Sequence, residues 1–140
     1  MASVKGVNIA NLDAVPAVLA GAAQAHGRLR VWFDSYEASA LASGSDITVA
    51  RLPAGATVYE AVVHHGALGT GVTLQLGDAA DTDRLIGATA AASAGKIMLS
   101  EDGAIDGFGY RYAAETDLKL TVGGGAATGT IKCAVFYALD

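Results

Sequence analysis

From Arg28 onward apolar and polar positions alternate with a period of two, broken at short intervals by glycine. Arg28 to Tyr36 sets Leu29, Val31 and Phe33 on one face and Arg28, Arg30, Trp32 and Asp34 on the other. That period predicts a strand with one buried face, here the Leu29–Val31–Phe33 face. Asp46–Leu52 follows the Ser43-Gly44-Ser45 break, and Pro53-Ala54-Gly55 ends it. Thr57–His65 is apolar on both sides, as expected of a central strand. Val72–Leu76 alternates up to a turn at Gly77-Asp78. Arg84–Ala94 is looser and has room for a short edge strand, while Lys96–Ser100 reads as a short strand before a Glu101-Asp102-Gly103 turn. Ile105–Ala113, Asp117–Val122 and Thr130–Leu139 complete the series. Inward positions expected in the later strands are Val72, Leu74, Leu76, Leu118, Leu120, Val122, Ile131, Cys133, Val135 and Tyr137.

Eight or nine short strands with glycine turns predict an all-β protein, a β-sandwich of jelly-roll type with about eight strands in residues 28–140. Residues 1–27 differ. They are Ala-rich, lack strand alternation, and form an expected N-terminal arm. Ala14–Ala25 ends in Ala23-Gln24-Ala25, which superficially suits signal-peptidase cleavage. A lone Lys5 in front, with Asn11, Asp13 and Pro16 interrupting, predicts that the segment stays on the chain.

Composition narrows the class. The chain has 140 residues, 52% of them hydrophobic, too apolar at a net charge of −5 for a disordered segment. Much of the 52% is alanine, so the core is thin for the chain's size. Lys and Arg number 9 against 14 Asp and Glu, which argues against a nucleic-acid partner. No apolar run approaches the ~20 residues of a membrane helix, so no membrane partner is expected. Cys133 is the single cysteine, which excludes an intrachain disulfide and a thiolate zinc site.

Candidate chemistry is sparse. His64 and His65 are adjacent in a strand and point to opposite faces, so they read as surface or interface histidines rather than as a metal pair with His26. Cys133 at an inward position is an inert thiol. Asp78, Asp81 and Asp83 lack calcium-loop spacing and read as a solvated turn. Gly124–Thr130 lacks the lysine and the following helix of a phosphate loop. Trp32, Tyr36, Tyr110 and Tyr112 could form a stacking face, although packing accounts for such aromatics more often. No catalytic residue, cofactor or metal is therefore assigned.

Four stretches of the chain carry a resemblance. They are Arg30-Val-Trp-Phe-Asp-Ser-Tyr-Glu-Ala-Ser-Ala-Leu-Ala-Ser-Gly-Ser45, Leu52-Pro-Ala-Gly-Ala-Thr-Val58, Ala67-Leu-Gly-Thr-Gly-Val-Thr-Leu-Gln-Leu-Gly-Asp78 and Ala127-Thr-Gly-Thr-Ile131. From about Arg28 to Leu139 the chain resembles small structural proteins from the head-gene region of tailed bacteriophages, the capsid decoration, cement or stabilising proteins. The resemblance implies a non-enzymatic jelly-roll domain, made in the host bacterial cytoplasm and carried on the virion capsid surface. Its implied partners are the major capsid protein and copies of itself, with a trimer favoured. Lys5, Val7, Ile9, Leu12, Val15, Val18 and Leu19 of the arm, with Trp32 of the first strand, are the candidate interface residues. Other head, neck or tail components share this description. A carbohydrate-binding β-sandwich would use Trp32 and Asp34, and a cupin-like enzyme would need histidines and a carboxylate converging on a metal.

Overall fold

The computed structural model describes residues 2–139. A short helix α1 (Val7–Leu12) lies in the N-terminal segment. The strands follow: β1 (Leu29–Leu41), β2 (Asp46–Leu52), β3 (Thr57–His65), β4 (Thr73–Gly77), β5 (Ile86–Ala90) and β6 (Gly95–Met98). After a helical turn α2 (Leu99–Asp102) come β7 (Tyr110–Arg111), β8 (Thr116–Gly123) and β9 (Ala127–Ala138). The bounds of β2 and β3 are those read from the alternation. The expected strand at Lys96–Ser100 stops at Met98, because Leu99–Asp102 turns helical and the Asp102 carboxylate accepts the Met98 N–H at 3.0 Å.

Two antiparallel sheets face each other. One runs β1-β9-β3, with β6 and β7 sharing the far side of β3; the other runs β2-β8-β4-β5. If β6 and β7 are taken as one interrupted strand, every connection crosses between sheets except β4 to β5. This is jelly-roll connectivity. β3 is central, and β5 is the edge strand expected within Arg84–Ala94. Glycine permits the tight turns at one end of the sandwich. Gly71 and Gly124 both have positive φ, +76° and +74°, and a Cβ on Gly124 would collide with the Gly71 carbonyl.

The core fills the space between the sheets. Leu52, Leu74, Leu76, Leu118, Leu120 and Ile131 are at most 1% exposed. All ten inward positions expected from β4, β8 and β9 (Val72 just precedes β4) are buried.

The first strand departs from expectation. Leu29, Val31 and Phe33, expected inside, are 63%, 56% and 62% exposed. Register with β9 gives the reason. Directly opposed residues in an antiparallel pair share a face. Trp32, Asp34 and Tyr36 oppose buried Val135, Cys133 and Ile131, so the even-numbered side chains take the core side. Leu29, Val31 and Phe33 oppose Ala138, Phe136 and Ala134 on the outer face. Alternation separates the two faces of this strand, and the inner one is the Trp32–Asp34–Tyr36 face rather than the expected Leu29–Val31–Phe33 face.

Candidate functional site

Among the described residues, the exposed large apolar side chains fall mainly on two regions consecutive in the chain, the N-terminal segment and the first part of β1. On β1 they form a row at alternate positions, Leu29, Val31 and Phe33, continued on β9 by half-buried Phe136 and Ala134. In the N-terminal segment Val7, Ile9, Leu12, Val15, Val18 and Leu19 are all exposed, Val15 at 98%. α1 buries no residue and has no side-chain N-cap, so six residues of helix rest on few contacts. Lys5 pairs with Asp13 at 2.6 Å and Asn8 Nδ2 donates to Gln24 Oε1 at 3.3 Å, both within the segment. A 360 Å³ apolar hollow lies between α1 and the returning chain at Leu19, Ala20, Ala25 and His26. Tyr59 Oη of β3 donates to the Ala23 carbonyl at 2.6 Å, and Ala23 is buried. The turn into β1 runs through His26, at φ +63°, and Gly27, where a Cβ would strike the Ala22 carbonyl. Trp32, the remaining candidate interface residue, is 39% exposed.

The acidic loop is built differently from a solvated turn. Asp78 is buried, and its Oδ1 accepts the Ala80 and Asp81 N–H groups at 3.0 Å each. Its Oδ2 accepts Arg84 Nε at 2.6 Å. Burial works to raise the Asp78 carboxyl, yet Arg84 and the backbone donors hold it below its ordinary value. Arg84 also lies 4.6 Å over the Tyr110 ring, and Tyr110 packs edge-on against Tyr112 with centroids 4.8 Å apart. Burial and the Asp78 charge push the Tyr112 hydroxyl up. The loop is thus a structural clamp. An open hollow of 510 Å³ beside it is lined by Asp81, Asp83, Asp102 and Asp106 together with Arg84 and Tyr110. No group of three or more His, Cys, Asp or Glu side chains suited to holding a metal occurs among the described residues.

The remaining candidates are dispersed. His64 is exposed, whereas His65, expected like it to be a surface or interface side chain, is buried within the protomer, and its Nδ1 lies 2.9 Å from the Gly66 carbonyl. Burial, with a smaller contribution from Asp34, pushes the Cys133 thiol up to about 12, well outside the range of a nucleophile. The four aromatics do not share a platform. Trp32 and Tyr36 lie on β1, while Tyr110 and Tyr112 sit beyond β9 and β3. Beside β1, a 110 Å³ crevice runs between Asp34 and Tyr36 on one sheet and Ile47 and Val49 on the other.

No protein-family model matches the chain, and no curated protein matches it. Solved structures do. A chain of the "Cyanophage Pam1 capsid asymmetric unit" is similar with a TM-score of 0.68 and 26% identity, covering 91% of this chain and 97% of that one. A chain of the "Capsid of Ralstonia phage GP4" is similar with a TM-score of 0.66 and 21% identity, over 81% of this chain and 86% of that one. A chain in the acid-stable capsid of Helicobacter pylori bacteriophage KHP30 has a TM-score of 0.58 and 14% identity, over 79% and 87%. The last two likenesses establish a shared fold.

Proposed function

We propose that the chain is a non-enzymatic structural protein of a bacteriophage virion and, within that class, a capsid decoration or cement protein that binds and stabilises the shell of the major capsid protein. The observation that carries the coarser statement is the 26% identity to a chain of a phage capsid asymmetric unit, sustained over 91% of this chain and 97% of that one. The likeness runs over nearly the full extent of both chains.

The finer statement draws support from the surface. A jelly roll whose buried Asp78 is held in a clamp by Arg84, and whose exposed apolar side chains gather on β1 and the N-terminal segment, is suited to adhesion. Residues 1–27 act as an attachment arm in this reading, with Val7, Ile9, Leu12, Val15, Val18 and Leu19 meeting the shell and Lys5 at their edge. Residues 28–140 form the body. The protein is made in the host cytoplasm and carried on the capsid exterior.

Quantitative mass spectrometry of purified particles tests this. The expected copy number is of the same order as that of the major capsid protein, and stripping the protein should lower the temperature at which shells release DNA. A copy number far below that of the major capsid protein would move the chain to the neck or tail. Absence from purified particles would end the virion reading.

A further inference from the structure

We infer that β1 is a self-association edge, joining two copies of this chain through antiparallel β1–β1 pairing about a two-fold axis at Trp32. Among the described residues β1 pairs only with β9, so its other edge offers backbone N–H and C=O groups to a partner strand. A long edge strand with exposed apolar side chains is a liability unless it is covered. Charge complementarity identifies the cover.

Within the straight part of β1 the charges are segregated, with Arg30 before Trp32 and Asp34 after it. Both are exposed on the core-side face, and neither forms an ion pair among the described residues. When a second β1 is laid antiparallel across the edge with Trp32 opposite Trp32, Arg30 of each copy stands opposite Asp34 of the other. On the outer face Val31 then stands opposite Phe33, and the apolar row of one copy continues into that of the next. Sliding the partner two residues one way sets Arg30 against Trp32 and brings Arg28, which precedes the strand, opposite Asp34; sliding it the other way sets Arg30 against Tyr36. The centred register alone among these matches both charges with opposite charges, and opposed charges of unlike sign favour a strand pair where like signs oppose it. The two-fold stands perpendicular to the sheet and keeps each face on its own side, so the two sheets fuse into one. Beyond Ala38 the register with β9 shifts and Ala40 takes φ +48°, so the bulge closes off the rest of the edge. The product is a closed dimer in place of the expected trimer, because a strand edge paired with itself is satisfied by one partner.

The inference does not depend on the capsid reading, and its test needs no virion. Multi-angle light scattering of the full chain should give twice the 14.0 kDa protomer mass at high concentration, dissociating on dilution. Arg30→Asp and Asp34→Arg each place like charges opposite one another twice per dimer, and each should weaken association about tenfold to a hundredfold. The double variant R30D/D34R restores both pairs and should recover the dimer. That recovery also rules out misfolding of the single variants, which circular dichroism should confirm as β-rich. A monomer at every concentration, leaving the edge for a foreign strand, overturns the inference. So does a trimer, a dimer indifferent to both single reversals, or a double variant that fails to recover.

Discussion

β1 and β9 lie side by side, paired through eleven residue positions, and both alternate apolar with polar residues. Yet β9 buries Ile131, Cys133, Val135 and Tyr137, while from Leu29 to Glu37 β1 buries nothing. Their composition does not explain this, since β1 carries Leu, Val, Trp, Phe and Tyr in the same stretch. Position does. β9 is flanked by β1 and β3 and backed by the second sheet, whereas β1 is the last strand of its sheet and, among the described residues, is paired on one side alone. Alternation therefore reports that a strand has two distinguishable faces. What covers each face depends on its neighbours.

The contrast can be broken most directly in the core. Leu120→Ala, at a position 1% exposed between the sheets, should cost about 2–5 kcal/mol in urea unfolding. Cys133 offers a parallel probe, because a buried thiol pushed up to about 12 should resist thiol reagents at pH 8 until the chain unfolds. Rapid labelling of the native protein would mean that the sandwich opens along the β1 side.

Next in size is the Asp78 clamp. Asp78→Ala removes a carboxylate holding Arg84 and two backbone N–H groups and should cost roughly 1–3 kcal/mol at neutral pH. The sign of its pH dependence follows from the lowered carboxyl. The folded protein binds this proton less readily than the unfolded chain. The stabilisation is therefore complete above the unfolded carboxylate value, about 4, and is lost as pH falls through that value toward the lower folded one. Acid titration of stability should be shallower in the variant than in the parent. An unchanged slope would assign the acid sensitivity to other carboxylates.

Smaller still is the effect of the N-terminal segment on the body. Deleting residues 1–26 removes the Tyr59–Ala23 hydrogen bond and should cost about 0.5–1.5 kcal/mol while leaving the β spectrum intact. On the proposed attachment role of the arm, binding to shells should fall much more steeply than stability. Global unfolding of the truncated chain would instead make the segment part of the core. Smallest of all, Val31→Ala, measured below the concentration at which protomers associate, should change stability by about 0.5 kcal/mol or less. A cost of core size would mean that the outer face of β1 is covered within a single protomer.

Much of the molecule was legible from residue order. The bounds of β2 and β3, the central place of β3, the edge place of β5 and the inward residues of β4, β8 and β9 all follow from period-two patterning and glycine breaks. These features are local, since a half-buried strand needs apolar side chains on one face whatever its partners are. The buried Asp78 clamp was not legible, because its meaning depends on Arg84 reaching back across the loop, and a cluster of aspartates looks the same whether solvated or capped. Nor was the burial of His65, which alternation could turn away from His64 but could not set inside.

By itself, then, the sequence determined the period, the turns and the all-β class, because backbone geometry ties these to neighbours one or two residues away. Tertiary structure alone decided the strand order and which face of β1 is inner, and so left Leu29, Val31 and Phe33 exposed. Those outcomes rest on pairings such as Trp32 with Val135, between residues about a hundred positions apart. No local pattern records such a pairing, since burial is a property of the completed sandwich and not of the strand.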